Sequence, residues 1–176
     1  MADSVLGTVW RVPATGGTPT KWAASPELEA TGFRGATGFR GANGFLGANG
    51  FLGANGIKIH KGSVWVSNLD KGTVLRNPIT CHGTAGPVET RATCLVNIDD
   101  IALTGAGDTL LAAINADNEV ALVRPDDSQT TVLTAADGLE NPTSLAVRGT
   151  TVYITNGAYS ANNDPNLLAA RIRSGE

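Results

Sequence analysis

The sequence predicts an all-β fold: a partial β-propeller of about three four-stranded blades, interrupted by a glycine-rich hexapeptide-repeat loop. Three observations predict it. Three strand-like stretches, Asn55-Gly-Ile-Lys-Ile, Asp99-Asp-Ile-Ala-Leu and Thr143-Ser-Leu-Ala-Val, place their first apolar residues at 57, 101 and 145, 44 apart each time. A second apolar strand follows each one: Val64-Trp-Val-Ser-Asn, Leu110-Leu-Ala-Ala-Ile and Val152-Tyr-Ile-Thr-Asn. No segment has helical periodicity. A recurrence of about 40–50 residues with several short strands in each unit is the signature of propeller blades.

Residues 1–31 read as strands that complete a blade. A loosely alternating strand runs over 5–12, Ala14-Thr-Gly-Gly-Thr-Pro is a turn, and Lys21-Trp-Ala-Ala is a short second strand. Val9-Trp-Arg-Val-Pro resembles Val120-Ala-Leu-Val-Arg-Pro, a third strand, so the opening strands read as the third and fourth of a blade. Residues 32–56 carry glycine at every third position, in hexapeptides of the form Gly-Phe-Arg-Gly-Ala-Thr and Gly-Phe-Leu-Gly-Ala-Asn. The tract contains no proline, which argues against a collagen triple helix. Four near-identical units read as tandem copies of the lead-in to one blade, carried as a long loop, because doubling a loop's length costs only about 0.6 kcal/mol.

Residues 57–176 hold the blades. One unit places strands at 57–60, 64–68, 73–76 and 89–95, with Lys61-Gly and Asp70-Lys-Gly as tight connections. The next places them at 101–103, 109–114, 120–124 and 130–133, with Thr104-Gly-Ala-Gly-Asp as a hairpin loop. The third begins at 144–147 and 152–155, then runs through a polar loop at 156–166 to a strand at 167–172. That last strand reads as another third strand and competes with the opening strands for one blade.

Composition narrows the function classes. Apolar residues make up 41% of the 176, enough for a core, while charged residues make up only 16%. With a net charge of −3 the chain offers no pull toward phosphate, so no nucleic-acid partner is expected. No run of about 18 apolar residues is present, and no membrane partner is expected. The N-terminus as written has neither a basic nor an apolar leader region, so a cytoplasmic location is the default expectation. Cys81 and Cys94 flank a turn-rich segment; they could pair if they sat on neighbouring strands, and otherwise read as free thiols, one of them buried. His60 and His82 lack the surroundings of a nucleophilic triad and are expected at the surface. Trp10, Trp22 and Trp65 read as core filling between blades.

The blade motifs ending in Asn68 and Asn156, with Asn55-Gly-Ile, Asp99-Asp-Ile-Ala-Leu and Pro142-Thr-Ser-Leu-Ala, resemble successive later blades of the senescence-marker-protein, gluconolactonase and luciferin-regenerating-enzyme group. The resemblance covers nearly all of the chain outside the glycine repeat. It implies a six-bladed propeller, and six units of this length need a chain half as long again. It also implies a divalent-metal-dependent lactone or ester hydrolase. The cation, calcium by the group's habit, would be held by a glutamate, an asparagine and an aspartate. By motif position, Asn55 and Asp99 are the metal ligands, Asp99 is also the catalytic base, and Thr143 lines the substrate channel. Asn43 and Asn49 are rivals to Asn55, but only Asn55 directly precedes the strand. Asp100 stands where the group has glycine. Neighbouring strand residues point to opposite faces, so at most one of Asp99 and Asp100 faces the axis. No residue supplies the glutamate; Glu27 and Glu29 lie before the glycine tract without a motif that would place them. Two functions therefore stand: the hydrolase, with a small lactone or ester as partner, and a non-catalytic half-propeller used for binding or assembly. Open flanks and exposed apolar blade faces favour a homodimer that rebuilds a six-bladed ring, or else aggregation.

Overall fold

The structure, a computed structural model, describes residues 1–31, 52–159 and 165–172. The hexapeptide tract over 32–51, with Asn43 and Asn49, and part of the polar loop, 160–164, lie outside the described residues. The chain divides into two compact units, Met1–Val96 and Asn97–Glu176.

The first unit holds two antiparallel sheets. One is β1 (Ala2–Asp3), β2 (Thr8–Arg11) and β3 (Thr20–Ala24) in that order; the other is β4 (Ala54–His60), β5 (Ser63–Asn68), β6 (Thr73–Pro78) and β7 (Glu89–Ala92). Lys61 and Gly62, both at positive φ (44° and 66°), form the two-residue turn that joins β4 to β5. Every residue of β5 is buried, the apolar Val64-Trp-Val at its centre and the polar Ser63, Ser67 and Asn68 at its ends. Its Val64 and Val66 join Val9, Ala23, Leu28, Ala54 and Leu75 in one core, and Trp65 is fully buried.

The turns show which strands the opening sheet represents. Asp3 pairs Thr8 across the β1–β2 turn, and Asn68 pairs Thr73 across the β5–β6 turn, each with glycine at positive φ just before the threonine (Gly7, 56°; Gly72, 60°). Both glycines are also held at close quarters. A Cβ on Gly7 would lie 2.6 Å from the Glu29 Cα, and one on Gly72 would lie 2.4 Å from the Val96 nitrogen. By this turn β1–β3 matches the second to fourth strands of a complete blade.

The second unit repeats the plan. Its sheets are β8 (Ile98–Leu103), β9 (Leu110–Ile114), β10 (Glu119–Val123) and β11 (Gln129–Leu133), and then β12 (Pro142–Arg148), β13 (Thr151–Asn156) and β14 (Asn166–Arg171). Between them lies one short 3-10 turn, Ala135–Asp137, capped by Thr134. Ala102, Leu111, Ala113, Val120 and Leu122 from one sheet pack on Leu145, Val152 and Ile154 from the other. The strand expected at 167–172 is β14, hydrogen-bonded along β13 from Asn166 to Arg171.

The fold is thus all-β, with the blade grammar expected from the 44-residue period. Four sheets are present among the described residues, where about three four-stranded blades were expected; the two outer ones have three strands each. The first strands β4, β8 and β12 begin at residues 54, 98 and 142, again 44 apart.

Cys81 and Cys94 are free and both exposed, so neither thiol is the buried one that composition suggested. Both lie outside the strands, on either side of β7.

Candidate functional site

The three residues singled out by the repeat share a local structure that periodicity cannot show. Each first strand is bulged at its start: between Ala54 and Ile57 in β4, Ile98 and Ile101 in β8, and Pro142 and Ser144 in β12. Asn55, Asp99 and Thr143 sit in those bulges. A bulge leaves an extra residue unpaired and re-aims its side chain, which is why bulges recur beside functional sites.

In the first unit Asn55 is half-buried, and the N–H of Gly56 beside it donates to the Ser67 hydroxyl at 2.8 Å. The second unit shows how neighbouring carboxylates divide. Asp100 is buried, and its Oδ2 accepts the Ser144 hydroxyl at 2.7 Å and the Leu145 backbone N–H at 3.0 Å, both from the following sheet. Asp99 is half-buried and turned elsewhere, its Oδ2 accepting the Asn115 carboxamide N–H at 3.3 Å. That same Nδ2 donates to the Pro142 carbonyl at 3.2 Å, so Asn115 ties the β8 bulge to the start of β12. The Thr143 hydroxyl donates to the Thr155 carbonyl at 3.2 Å and lies 2.9 Å from the Thr155 hydroxyl, the bonding of a strand start.

Several residues join Asp99 that the sequence did not single out. Asn141 is buried at positive φ (49°). Its N–H donates to Asn118 Oδ1 at 2.7 Å, its Nδ2 to the Asn115 carbonyl at 3.3 Å, and its Oδ1 accepts the Tyr159 N–H at 2.9 Å. The Tyr159 ring lies over Gly157: a Cβ there would fall 2.4 Å from its Cζ, so only glycine admits this ring position. Burial and then the negative charge of Asp99 raise the Tyr159 phenol above its usual pKa, which holds the hydroxyl protonated. The second unit therefore gathers a half-buried carboxylate, carboxamides and a half-exposed phenol (50%) where β8 and β12 begin.

This set can bind a polar carbonyl compound and move a proton. It is a thin cage for a hard cation, which takes about six to eight oxygens. Asp100 is committed to Ser144 and Leu145, and no group of three His, Cys, Asp or Glu side chains converges among the described residues. The second unit's donors alone do not fit a calcium ion.

The sheets have counterparts among solved structures. A chain of the nidogen–laminin complex superposes with a TM-score of 0.67 at 13% identity, over 96% of this chain and 56% of that one. Selenomethionine-substituted virginiamycin B lyase from Staphylococcus aureus gives 0.53 at 15% identity, over 86% of this chain and 42% of that one. A catalytically inactive form of that lyase with quinupristin gives 0.54 over the same shares. These are β-propeller proteins. The chain is a partial β-propeller. It spans about half the length of the solved structures it matches. No protein-family model matches it, and no curated protein matches it.

Proposed function

We propose that the chain is part of a gluconolactonase-like propeller hydrolase that opens a small lactone or ester, with Asp99 as general base. One observation carries this reading: of the two adjacent carboxylates, Asp100 is consumed by packing while Asp99 is left in the bulge, oriented by Asn115 and beside a phenol that stays protonated. Asp99 takes the proton of a water that attacks the carbonyl carbon. The Tyr159 hydroxyl donates to the oxygen that gains charge, the role of an oxyanion donor. When the ring C–O bond breaks, the proton on Asp99 passes to the leaving oxygen. Thr143, at the matching bulge, would contact substrate. A divalent cation such as calcium would polarise the carbonyl when bound; Asp99 is the proposed ligand in the second unit and Asn55 the proposed ligand in the first.

A second reading is favoured by the sheet edges. β3 and β14 close three-stranded sheets and pair on one side only among the described residues. Such edges suit assembly, and a homodimer would cover them; with four sheets described in each chain, two copies would bring eight together rather than the six of the expected ring.

Mass in solution, thermal unfolding with and without calcium, and lactone hydrolysis by the parent and Asp99→Asn separate the two. The hydrolase reading expects turnover that falls at least about a hundredfold in D99N and calcium stabilisation of about 2.7 kcal/mol at a hundred times its Kd. A monomer indifferent to calcium and inert toward lactones overturns it. A dimer without turnover favours the assembly reading.

A further inference from the structure

At the opposite ends of the same strands the second unit opens a cleft of about 660 Å³. It begins where β8 ends at Thr104, five residues and so roughly 16 Å along the strand from Asp99. Leu111, Leu122, Val152 and Ile172 form its apolar floor and walls, continuous with the core between the two sheets. Its volume lies within the range of about 300–1,000 Å³ typical of small-ligand sites. Gly149, in the hairpin at its edge, has no described atom within 4 Å of where a Cβ would stand.

The charged lining is of one sign. Arg124, just after β10, and Arg171, at the end of β14, contribute guanidinium groups from opposite sheets, and no carboxylate lines the cleft among the described residues. Arg124 uses Nη1 on the Thr130 hydroxyl at 3.1 Å, which leaves most of its five donors. The Arg171 side chain has no hydrogen-bond or ion-pair partner among the described residues.

We propose that this cleft binds a single-chain amphiphile with an anionic head, a fatty-acid-like carboxylate. Its alkyl chain lies between the sheets and its carboxylate meets the two guanidiniums at the mouth. An apolar trough alone would take any alkyl chain. The paired arginines select the head, because a planar guanidinium matches a carboxylate in two parallel hydrogen bonds.

Titration calorimetry with dodecanoate and dodecyltrimethylammonium, each below its micelle concentration, and with dodecanol below its solubility limit, tests this. Dodecanoate is expected to bind saturably with a negative heat-capacity change. The two other compounds should bind at least about tenfold more weakly, the effect of losing one charge-assisted bond. The double variant Arg124→Gln/Arg171→Gln should lose at least the same factor for dodecanoate while its melting point stays near the parent's. Should the double variant fail to fold, Arg171→Gln alone, at an exposed position, is expected to weaken dodecanoate without weakening dodecanol. No saturable binding of dodecanoate, equal binding of the three compounds, or unchanged binding to the folded arginine variants would each overturn the proposal.

Discussion

Replacing Asp100 with alanine should destabilise the second unit far more than any change at Asp99. Asp100 is only 5% exposed and accepts two hydrogen bonds from the next sheet. Removing it strands the N–H of Leu145, a residue itself 2% exposed, at a cost of about 1–3 kcal/mol for a buried unsatisfied donor. The Ser144 hydroxyl is exposed and can turn to water, so its loss adds about 0.5–1 kcal/mol. The total is about 1.5–4 kcal/mol, and each kcal/mol lowers the melting point of a unit this size by about 4–8 °C. Urea unfolding of D100A, S144A and the double variant measures it. Because serine and aspartate share one bond, the cycle should show a coupling of about 0.5–1.5 kcal/mol. A D100A loss below about 1 kcal/mol, or strict additivity with S144A, would refute the clamp.

Further outcomes follow from the structure. Absorbance titration of the two tyrosines should find Tyr159 ionising above the usual phenol range. Asp99→Asn should bring it part of the way down, because burial is the larger cause and Asp99 the smaller. With the folded pKa raised, any stability from this phenol is present below pH 10 and is lost as pH climbs through the folded value; Tyr159→Phe should flatten that loss in alkaline unfolding curves. Deleting one hexapeptide, residues 38–43, should shift stability by less than about 1 kcal/mol in thermal unfolding. Thr31 and Leu52, on either side of the tract, both bond to Asp70, so its ends are already fixed. Asn77→Leu should raise the urea midpoint, by about 1–2 kcal/mol of stability, because both polar atoms of Asn77 are buried with no hydrogen-bond partner among the described residues.

The period made the blades legible, because burying alternate strand residues leaves a trace in composition that recurs with the repeat. Strand parity also led one to expect that Asp99 and Asp100 would part, and they do: Asp100 bonds to the next sheet and Asp99 to Asn115. The bulges that aim Asn55, Asp99 and Thr143 left no such trace, since a bulge changes pairing without changing residue type. Asn115, Asn141 and Tyr159 were not legible for a different reason. They meet through backbone at positive φ at Asn118, Asn141 and Ala158. The segment carrying Tyr159 read as a polar loop, and nothing in composition distinguishes a loop that folds back from one that does not. Asn68 and Asn156 were visible as motif residues, but not their work. Asn68 donates to the carbonyls of Glu27 and Glu29, and Asn156 to that of Gly138, so each buried carboxamide holds the segment leading into its blade.

The two aspartates are mechanically linked, although they face apart. Asp100 holds Ser144 and Leu145, which fixes the opening residues of β12. Pro142, two residues before Ser144, offers its carbonyl to Asn115, and the same Asn115 nitrogen holds the Asp99 carboxylate. The packing of one sheet on the next therefore sets where the proposed base points. The bond from Asn115 to the Asp99 carboxylate, at 3.3 Å, is a long one. It gains definition because the amide's other bond is anchored to a strand that Asp100 holds. Asp100 is thus a positioning residue, and its substitution should reach Asp99 through β12. In Asp100→Asn, which keeps an acceptor for one donor, the Tyr159 titration should move with the loosened Asp99 even where the unit stays folded. An unchanged phenol titration in folded D100N would show that the bulge alone orients Asp99.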